Sequence, residues 1–188
     1  YQHYGIKPDM VTMAKGVASG YAAISCTVTT EEVFNMFKDT PDDTMSYFRD
    51  ISTFGGCTSG PAAALKNVEI IEQENLLDTV ATVGDYLKEG LMKLADKHPV
   101  IGNVRGKGLF AGAELVADRD TKKPLDEALC QGIAADCMKN NAVVIGVTNR
   151  CLEGLNNTLT FAPGFVSTKD DMDELLSAVD GAITRVCA

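Results

Sequence analysis

The chain has 188 residues, which is enough for one large or two small domains, and its 45% hydrophobic content allows an ordinary core. Its net charge is −9, which argues against a nucleic-acid-binding or anionic-membrane surface because both favour basic patches. Neither a signal peptide nor an apolar run of membrane-spanning length is expected from the sequence.

The cysteines and histidines do not indicate a metal site. No two cysteines form a C-x-x-C pair, and the two histidines do not complete a convincing zinc site with them. Most of the thiols lie among apolar or small residues, where free cysteine behaves as a small hydrophobic group. We therefore expect no metal, reduced thiols and a cytoplasmic location. The six cysteines are Cys26, Cys57, Cys130, Cys137, Cys151 and Cys187.

Two short apolar segments, residues 10–14 and 22–28, are predicted to be buried strands, and Lys15 lies at the end of the first. Glycine and small residues follow this lysine. A lysine at the end of a buried strand is partly desolvated, which favours its neutral amine. A neutral amine can attack a carbonyl group and hold it as a Schiff base, so Lys15 is a candidate nucleophile. The alternative is a solvated lysine after a strand.

A helix is predicted after the second strand. The run Thr-Thr-Glu-Glu at residues 29–32 matches a capping box, in which Thr29 is the N-cap and Glu32 reaches back to it. The helix is predicted to end before Pro41. The segment 41–50 is rich in acidic residues and is predicted to be a loop.

Two longer helices follow. Pro61 suits the first turn of a helix, and apolar residues lie nearly all round the helix that it begins, so deep burial is predicted. The second helix is predicted from about residue 76 to 97, with apolar residues at helical spacing, and His98-Pro99 ends it. We place a domain boundary at this point, which gives domains of residues 1–98 and 99–188.

The remaining residues alternate between predicted strands and helices, which indicates a mixed α+β domain. The first two strands form a hairpin-like pair around a glycine turn. Thr168 and Asp171 are predicted to cap the last helix. The predicted strands are 100–104, 109–116, 142–145 and 158–161, and a further helix is predicted at about 126–139.

The residues around Lys15 resemble the cofactor-lysine region of class III aminotransferases, which are pyridoxal-phosphate enzymes of fold type I. The resemblance covers essentially the whole chain, and it is most similar to ω-amino-acid:pyruvate members, especially those that use taurine. It implies an α/β fold: the C-terminal half of such an enzyme, with part of the large cofactor-binding domain followed by a small α+β domain. The segments that carry the resemblance are 4–10, 13–16, 20–25, 52–56, 104–110, 113–115, 154–160 and 159–163.

The resemblance implies roles for two residues at a pyridoxal 5′-phosphate site. Lys15 would hold the cofactor as a Schiff base and, once released, move a proton on the substrate. Thr53, beside two glycines, would contact the phosphate of the neighbouring subunit's cofactor, which implies a homodimer or a higher homo-oligomer. The alternative for Thr53 is a turn threonine that bonds its own backbone. Cys57 and Thr58 depart from the family pattern.

Arg150 is a candidate substrate-binding residue. Pyruvate and most amino donors carry a carboxylate, which a planar guanidinium can hold with two hydrogen bonds. The resemblance places an arginine near this point, but the loop that holds it is longer here than in the family. The alternatives are an exposed loop arginine at this position, or Arg105 as the cation.

The predicted reaction is transfer of an amino group from an ω-amino donor, with taurine as the leading candidate, to pyruvate. Two alternatives remain open. Another class III activity, such as a γ-aminobutyrate-type transaminase or an aminomutase, fits the same motifs. The other alternative is that the isolated chain is a non-catalytic module, because half of the cofactor cradle of the family is missing from it.

Overall fold

The structure is a computed structural model that describes residues 1–38, 48 and 50–188. Its contacts divide the chain into two compact units, residues 1–74 and 75–188, and each is considered by itself. Helices and sheets occur together, which confirms the predicted α/β class. Most of the predicted acidic loop, 41–50, lies outside the described residues.

The described residues of the first unit form one small sheet and two α-helices. The sheet is an antiparallel pair whose register runs from Met10 opposite Thr29 to Ala14 opposite Ser25. A 3-10 turn follows the first strand directly. The elements are β1 (Met10–Ala14), the turn Lys15–Ala18, β2 (Ser25–Thr29), α1 (Glu31–Asn35) and α2 (Ser59–Gln73).

Both predicted strands are present, but the prediction that they are buried is wrong for this chain. Every residue of β1 and β2 is exposed except Val11 and Cys26, which are half-buried. Met10 and Val28 expose more than half of their surface. Apolar composition shows that a strand prefers burial, but burial itself requires a second layer, and a two-stranded sheet cannot supply one for itself.

The start of α1 differs from the prediction by one residue. The N-cap is Thr30, whose hydroxyl accepts a hydrogen bond from the Val33 N–H at 3.4 Å. This register puts valine at the third helical position, so the predicted capping box of Thr29 and Glu32 does not form. Adjacent threonines offer the chain two possible caps, and the local pattern alone does not choose between them.

Helix α2 is present with Pro61 in its first turn, but the prediction of deep burial is wrong for this chain. Gly60 is its only fully buried residue, whereas Leu65 and Val68 are exposed. The half-buried positions recur at helical spacing and form one stripe along the helix. They are Ala63, Ala64, Asn67, Ile70 and Ile71.

The second unit combines a five-stranded sheet with three helices. The strand order is β3-β4-β7-β6, with β5 paired to β4, and every pairing is antiparallel. The elements are α3 (Leu76–Lys97), β3 (Ile101–Lys107), β4 (Phe110–Asp118), β5 (Lys123–Pro124), α4 (Glu127–Asn141), β6 (Gly146–Val147), β7 (Thr158–Phe161) and α5 (Lys169–Val186).

Most elements of the second unit agree with the sequence. Helix α3 and strand β7 have the predicted bounds, and β3 and β4 form the predicted hairpin. The last helix has the capping box of Thr168 and Asp171. The strand predicted at 142–145 is displaced to β6, because Ala142 ends α4 in a left-handed conformation with φ 56°.

Helix α3 groups with the second unit because it packs against β3 and α5. The sequence instead placed this helix on the N-terminal side of a boundary at His98. The predicted domains, 1–98 and 99–188, stay a prediction, whereas the compact units of the described chain meet between Glu74 and Asn75.

The core of the second unit lies where α3, α4 and α5 meet the sheet. The side chains of Leu87, Leu91 and Phe161 are almost completely inaccessible to solvent. Burial raises the pKa of the Cys130 and Cys137 thiols to about 11, so both behave as small apolar groups at neutral pH. These residues give the unit an apolar centre of its own.

Polar contacts join α3 to α5 near both ends of the helix pair. The Tyr86 hydroxyl donates to Asp173 at 2.6 Å. Lys97 donates to Asp180 at 2.6 Å, and the His98 ring lies 2.5 Å from the same carboxylate. Hydrogen bonds from Lys97 and then His98 lower the pKa of Asp180. The His98 side chain thus ties the C-terminal end of α3 to α5.

We expect Leu87→Ala to lower the free energy of unfolding by about 2–5 kcal/mol, because it leaves a cavity in a fully packed core. Leu77→Ala is the matched control on the same helix, since Leu77 is 67% exposed, and it should change stability by less than about 0.5 kcal/mol. Urea unfolding followed by circular dichroism measures both changes. Equal effects of the two substitutions would contradict this account of the core.

Candidate active site

Lys15 lies at the junction between β1 and the 3-10 turn that follows it. Its φ is 57°, which is the left-handed region, and its side chain is exposed. A residue with a Cβ in this conformation costs on the order of 1–3 kcal/mol, so neighbouring contacts must hold it. The lysine therefore leaves the backbone at a sharp corner, with Ala14 still fully extended before it.

Asn67 on α2 contacts this corner, and the sequence analysis did not identify it. Its side-chain Nδ2 donates to the Gly16 carbonyl oxygen at 3.1 Å and to the Val17 carbonyl oxygen at 3.0 Å. Asn67 is the single amide among the half-buried positions of α2, which are otherwise alanine and isoleucine, and this pattern could have identified it. It was missed because the whole helix was predicted to be apolar.

Thr53 lies in a tight turn before α2 and is exposed. The turn is closed by backbone hydrogen bonds from Gly55 N–H to Ser52 O at 2.9 Å and from Cys57 N–H to Phe54 O at 3.2 Å. Helix α2 relates the two predicted cofactor residues: the Thr53 turn leads into its start, and Asn67 within it contacts the Lys15 turn.

Arg150 belongs to the second unit, so its position is described separately from Lys15 and Thr53. It lies exposed on the loop of residues 148–157 that joins β6 to β7. The rival cation, Arg105, donates from Nη1 to the Glu114 carboxylate across the β3–β4 hairpin at 2.6 Å. That ion pair supports a structural role for Arg105.

One carboxylate organises the Arg150 loop, and the sequence analysis did not identify it. Glu127, the first residue of α4, accepts hydrogen bonds at Oε1 from Gly154 N–H at 2.6 Å and Asn156 N–H at 3.1 Å. The Asn156 side chain donates to the same oxygen at 3.0 Å and accepts from Cys151 N–H at 3.0 Å. These contacts fix the loop from Cys151, the residue that follows Arg150, to Asn156.

The described part of the chain shows neither a metal cluster nor a membrane-spanning helix. Within it, no cluster of three or more histidine, cysteine, aspartate or glutamate side chains is placed to hold a metal ion. None of its helices is both long and apolar enough to cross a membrane.

Comparison with known proteins identifies the family. The aminotransferase class-III profile matches residues 1–183, so the chain belongs to the class III aminotransferases. It is 61% identical over its whole length to a hypotaurine/taurine–pyruvate aminotransferase of Paracoccus denitrificans. It is 59% identical, over 99% of its length, to a taurine–pyruvate aminotransferase of Bilophila wadsworthia. The chain spans 41% of the length of each of these relatives.

Solved structures of aminotransferases superpose on this chain. The chain superposes on an aminotransferase of Bacillus anthracis with a TM-score of 0.91 and 38% identity, over 98% of this chain and 40% of that one. An amine transaminase of an uncultivated Pseudomonas species, solved in its PLP-bound form, superposes with a TM-score of 0.85 and 28% identity, over 98% and 40% of the two chains. The fold described above is therefore the fold of this family.

We predict that Glu127→Gln loosens the 148–157 loop, because a neutral amide oxygen accepts hydrogen bonds less strongly than a carboxylate. Hydrogen exchange at the Gly154 and Asn156 amides should become faster. Glu153→Gln, on the same loop with an exposed side chain, is the control and should leave both rates unchanged.

The same anchor should depend on pH. Hydrogen bonds from Asn156, its backbone first, hold the pKa of Glu127 below the ordinary value. The ionised carboxylate should therefore hold the loop as the pH falls through the ordinary pKa of a glutamate, and should release it only at lower pH. The Glu127→Gln variant should lack this acid step, and an identical acid step in that variant would assign it to another group.

Proposed function

We propose that the chain supplies the cofactor lysine and part of the substrate site of a pyridoxal-phosphate-dependent aminotransferase. The reaction is transfer of an amino group from an ω-amino donor, taurine foremost, to pyruvate. The observation that carries the proposal is a lysine held at a strained corner, in a chain that matches class III aminotransferases nearly throughout. The names of the relatives from Paracoccus and Bilophila support the substrate pair.

The residues of the Lys15 corner suit this cofactor. A primary amine is the group that reacts with the aldehyde of pyridoxal phosphate, and the Lys15 side chain is exposed for that reaction. When bound, the cofactor supplies an electron sink for the carbanion of the substrate. Once the substrate amine has released it, the Nζ of Lys15 would take a proton from the amino-bearing carbon of the substrate and return one, so one residue would serve in turn as tether and as general acid and base.

Thr53 has the chemistry of a phosphate contact. Its hydroxyl can donate to a phosphate oxygen, and the glycines at 55 and 56 allow backbone N–H groups to approach as well. We assign it to the cofactor of a neighbouring copy, which makes the active enzyme a homodimer or a larger homo-oligomer. Its exposure in this chain agrees with a contact that another copy completes.

Arg150 is assigned to the anionic end of the substrates. A guanidinium can hold the carboxylate of pyruvate with two parallel hydrogen bonds. The anchored loop supports this role because it keeps the backbone beside the arginine fixed before substrate arrives.

A second candidate is that this chain alone is a non-catalytic module. The exposure of β1, β2 and α2 favours it, because a cofactor site in this region would need further polypeptide to enclose it. The experiments below therefore use the full-length enzyme, meaning this chain joined to the remaining segment that its relatives possess. Spectra of the isolated chain with pyridoxal phosphate distinguish the two candidates: a stable visible band would show that the chain binds cofactor unaided.

We expect borohydride reduction of the full-length enzyme with pyridoxal phosphate to label Lys15. The reason is that it is the lysine at the strand end that the family resemblance assigns to the cofactor, and its amine is exposed. Peptide mapping by mass spectrometry locates the label, and Lys15→Ala should lose both the label and transamination. A label on any other lysine would sink the assignment.

Arg150→Lys should slow the half-reaction with pyruvate, because lysine keeps the charge but loses the planar fork. The loss should be about tenfold to a hundredfold, the scale of a hydrogen bond to a charged group. Single-turnover kinetics with pyruvate, and separately with an amine donor that has no acidic group, measure the two halves. Equal slowing of both halves, or of neither, would return Arg150 to the role of a surface arginine.

A further inference from the structure

We propose that Asn67 is a positioning residue for Lys15, an inference that rests on the proposed function of that lysine. The Asn67 side chain donates to two consecutive carbonyl oxygens immediately after the lysine, those of Gly16 and Val17. Both bonds end on the backbone. Asn67 therefore acts on the reactive amine through the direction in which the lysine leaves the chain.

The chemistry of the contact requires an amide. One NH2 group carries two hydrogens and can serve two carbonyl acceptors at once, which fits the distances of 3.1 Å and 3.0 Å. A hydroxyl has a single hydrogen, and a carboxylate has none and would place its charge against both carbonyls. The two acceptors also settle the orientation of the Asn67 amide, because its oxygen cannot accept from either of them.

The turn that these bonds hold is strained at both ends. Lys15 has φ 57° and Ser19 has φ 50°, and neither is glycine. The turn is also closed by backbone bonds from Ser19 N–H to Gly16 O and from Tyr21 N–H to Ala18 O, each at 3.0 Å. If the Gly16 and Val17 carbonyls are released, φ of Lys15 can relax to the right-handed region, and its Cα–Cβ bond then points elsewhere.

Helix α2 holds Asn67 at the right distance from the turn. Gly60 lies seven residues earlier on the same face of the helix and is buried. A Cβ at Gly60 would stand 3.2 Å from the Ala23 carbonyl oxygen, so the helix start lies directly against the segment after the turn. Ala18, at the end of the turn, is 1% exposed. The segment after Lys15 thus contacts α2 at two positions, Gly60 and Asn67, and the contact made by Asn67 is polar.

The test compares Asn67→Asp and Asn67→Ala with the parent full-length enzyme, and Gln73→Ala serves as the control. Gln73 lies on the same helix and is exposed. Its side-chain amide donates a hydrogen bond to Glu69 of that helix. Two readouts are independent of turnover: the rate at which pyridoxal phosphate modifies Lys15, trapped with borohydride and mapped, and the urea midpoint without cofactor. Steady-state kinetics add the turnover number and the KM for pyruvate.

Pyridoxal phosphate should modify Lys15 about tenfold more slowly in both Asn67 variants than in the parent enzyme. A factor of this size corresponds to the loss of one or two net hydrogen bonds. The turnover number should fall by a similar factor with little change in the KM for pyruvate, and Gln73→Ala should match the parent throughout. Modification at the parental rate in a folded variant would overturn the proposal, as would a fall that Gln73→Ala shares. If Asn67→Asp does not fold, Asn67→Ala decides, since it places no charge on the carbonyls. A parent enzyme that is not modified at Lys15 overturns the proposed function itself, which is a separate result.

Discussion

A lysine backbone in the left-handed conformation persists only where other contacts hold it, and the candidate cofactor site of this chain depends on that constraint. The extended strand β1 ends at Ala14 and reverses at Lys15, so the side chain stands at a corner and not along a strand. The reversal also directs the following segment onto α2, where Ala18 is buried and Asn67 finds two carbonyls. One helix therefore carries both the support for Lys15 and, at its start, the turn that contains Thr53.

The two units use their apolar residues differently. In the second unit, side chains such as Leu87 and Phe161 are fully enclosed by elements of the same unit. In the first unit, Leu65 and Val28 remain exposed on regular elements. An exposed apolar helix and sheet are costly unless another surface covers them. This difference supports the proposal that the first unit works together with further polypeptide, in agreement with the 41% of its relatives that the chain spans.

The sequence predicts features that are specified by residues close together in the chain, and it does not predict contacts between distant residues. Helix α3 and the Thr168–Asp171 cap were predictable because local spacing and a four-residue motif specify them. The burial of α2 could not be predicted in this way. Periodicity shows which residues a helix could bury, but it does not show whether another element packs against them. Asn67 and Glu127 were missed for a related reason. Their partners lie 50 or 51 and 27 or 29 residues away in the chain, and no local motif announces such a contact.

The contacts around Arg150 support its proposed role in binding an anionic substrate on a protein whose net charge is −9. Glu127 contacts the loop that carries the arginine, and its Oε1 accepts three N–H groups of that loop. Its charge is thus used to fix the backbone. Among the described residues no carboxylate forms an ion pair with Arg150, whereas Arg105 is paired with Glu114. Glu127 thus fixes the loop without neutralising the Arg150 guanidinium, and this combination supports the proposed two-pronged recognition of a substrate carboxylate.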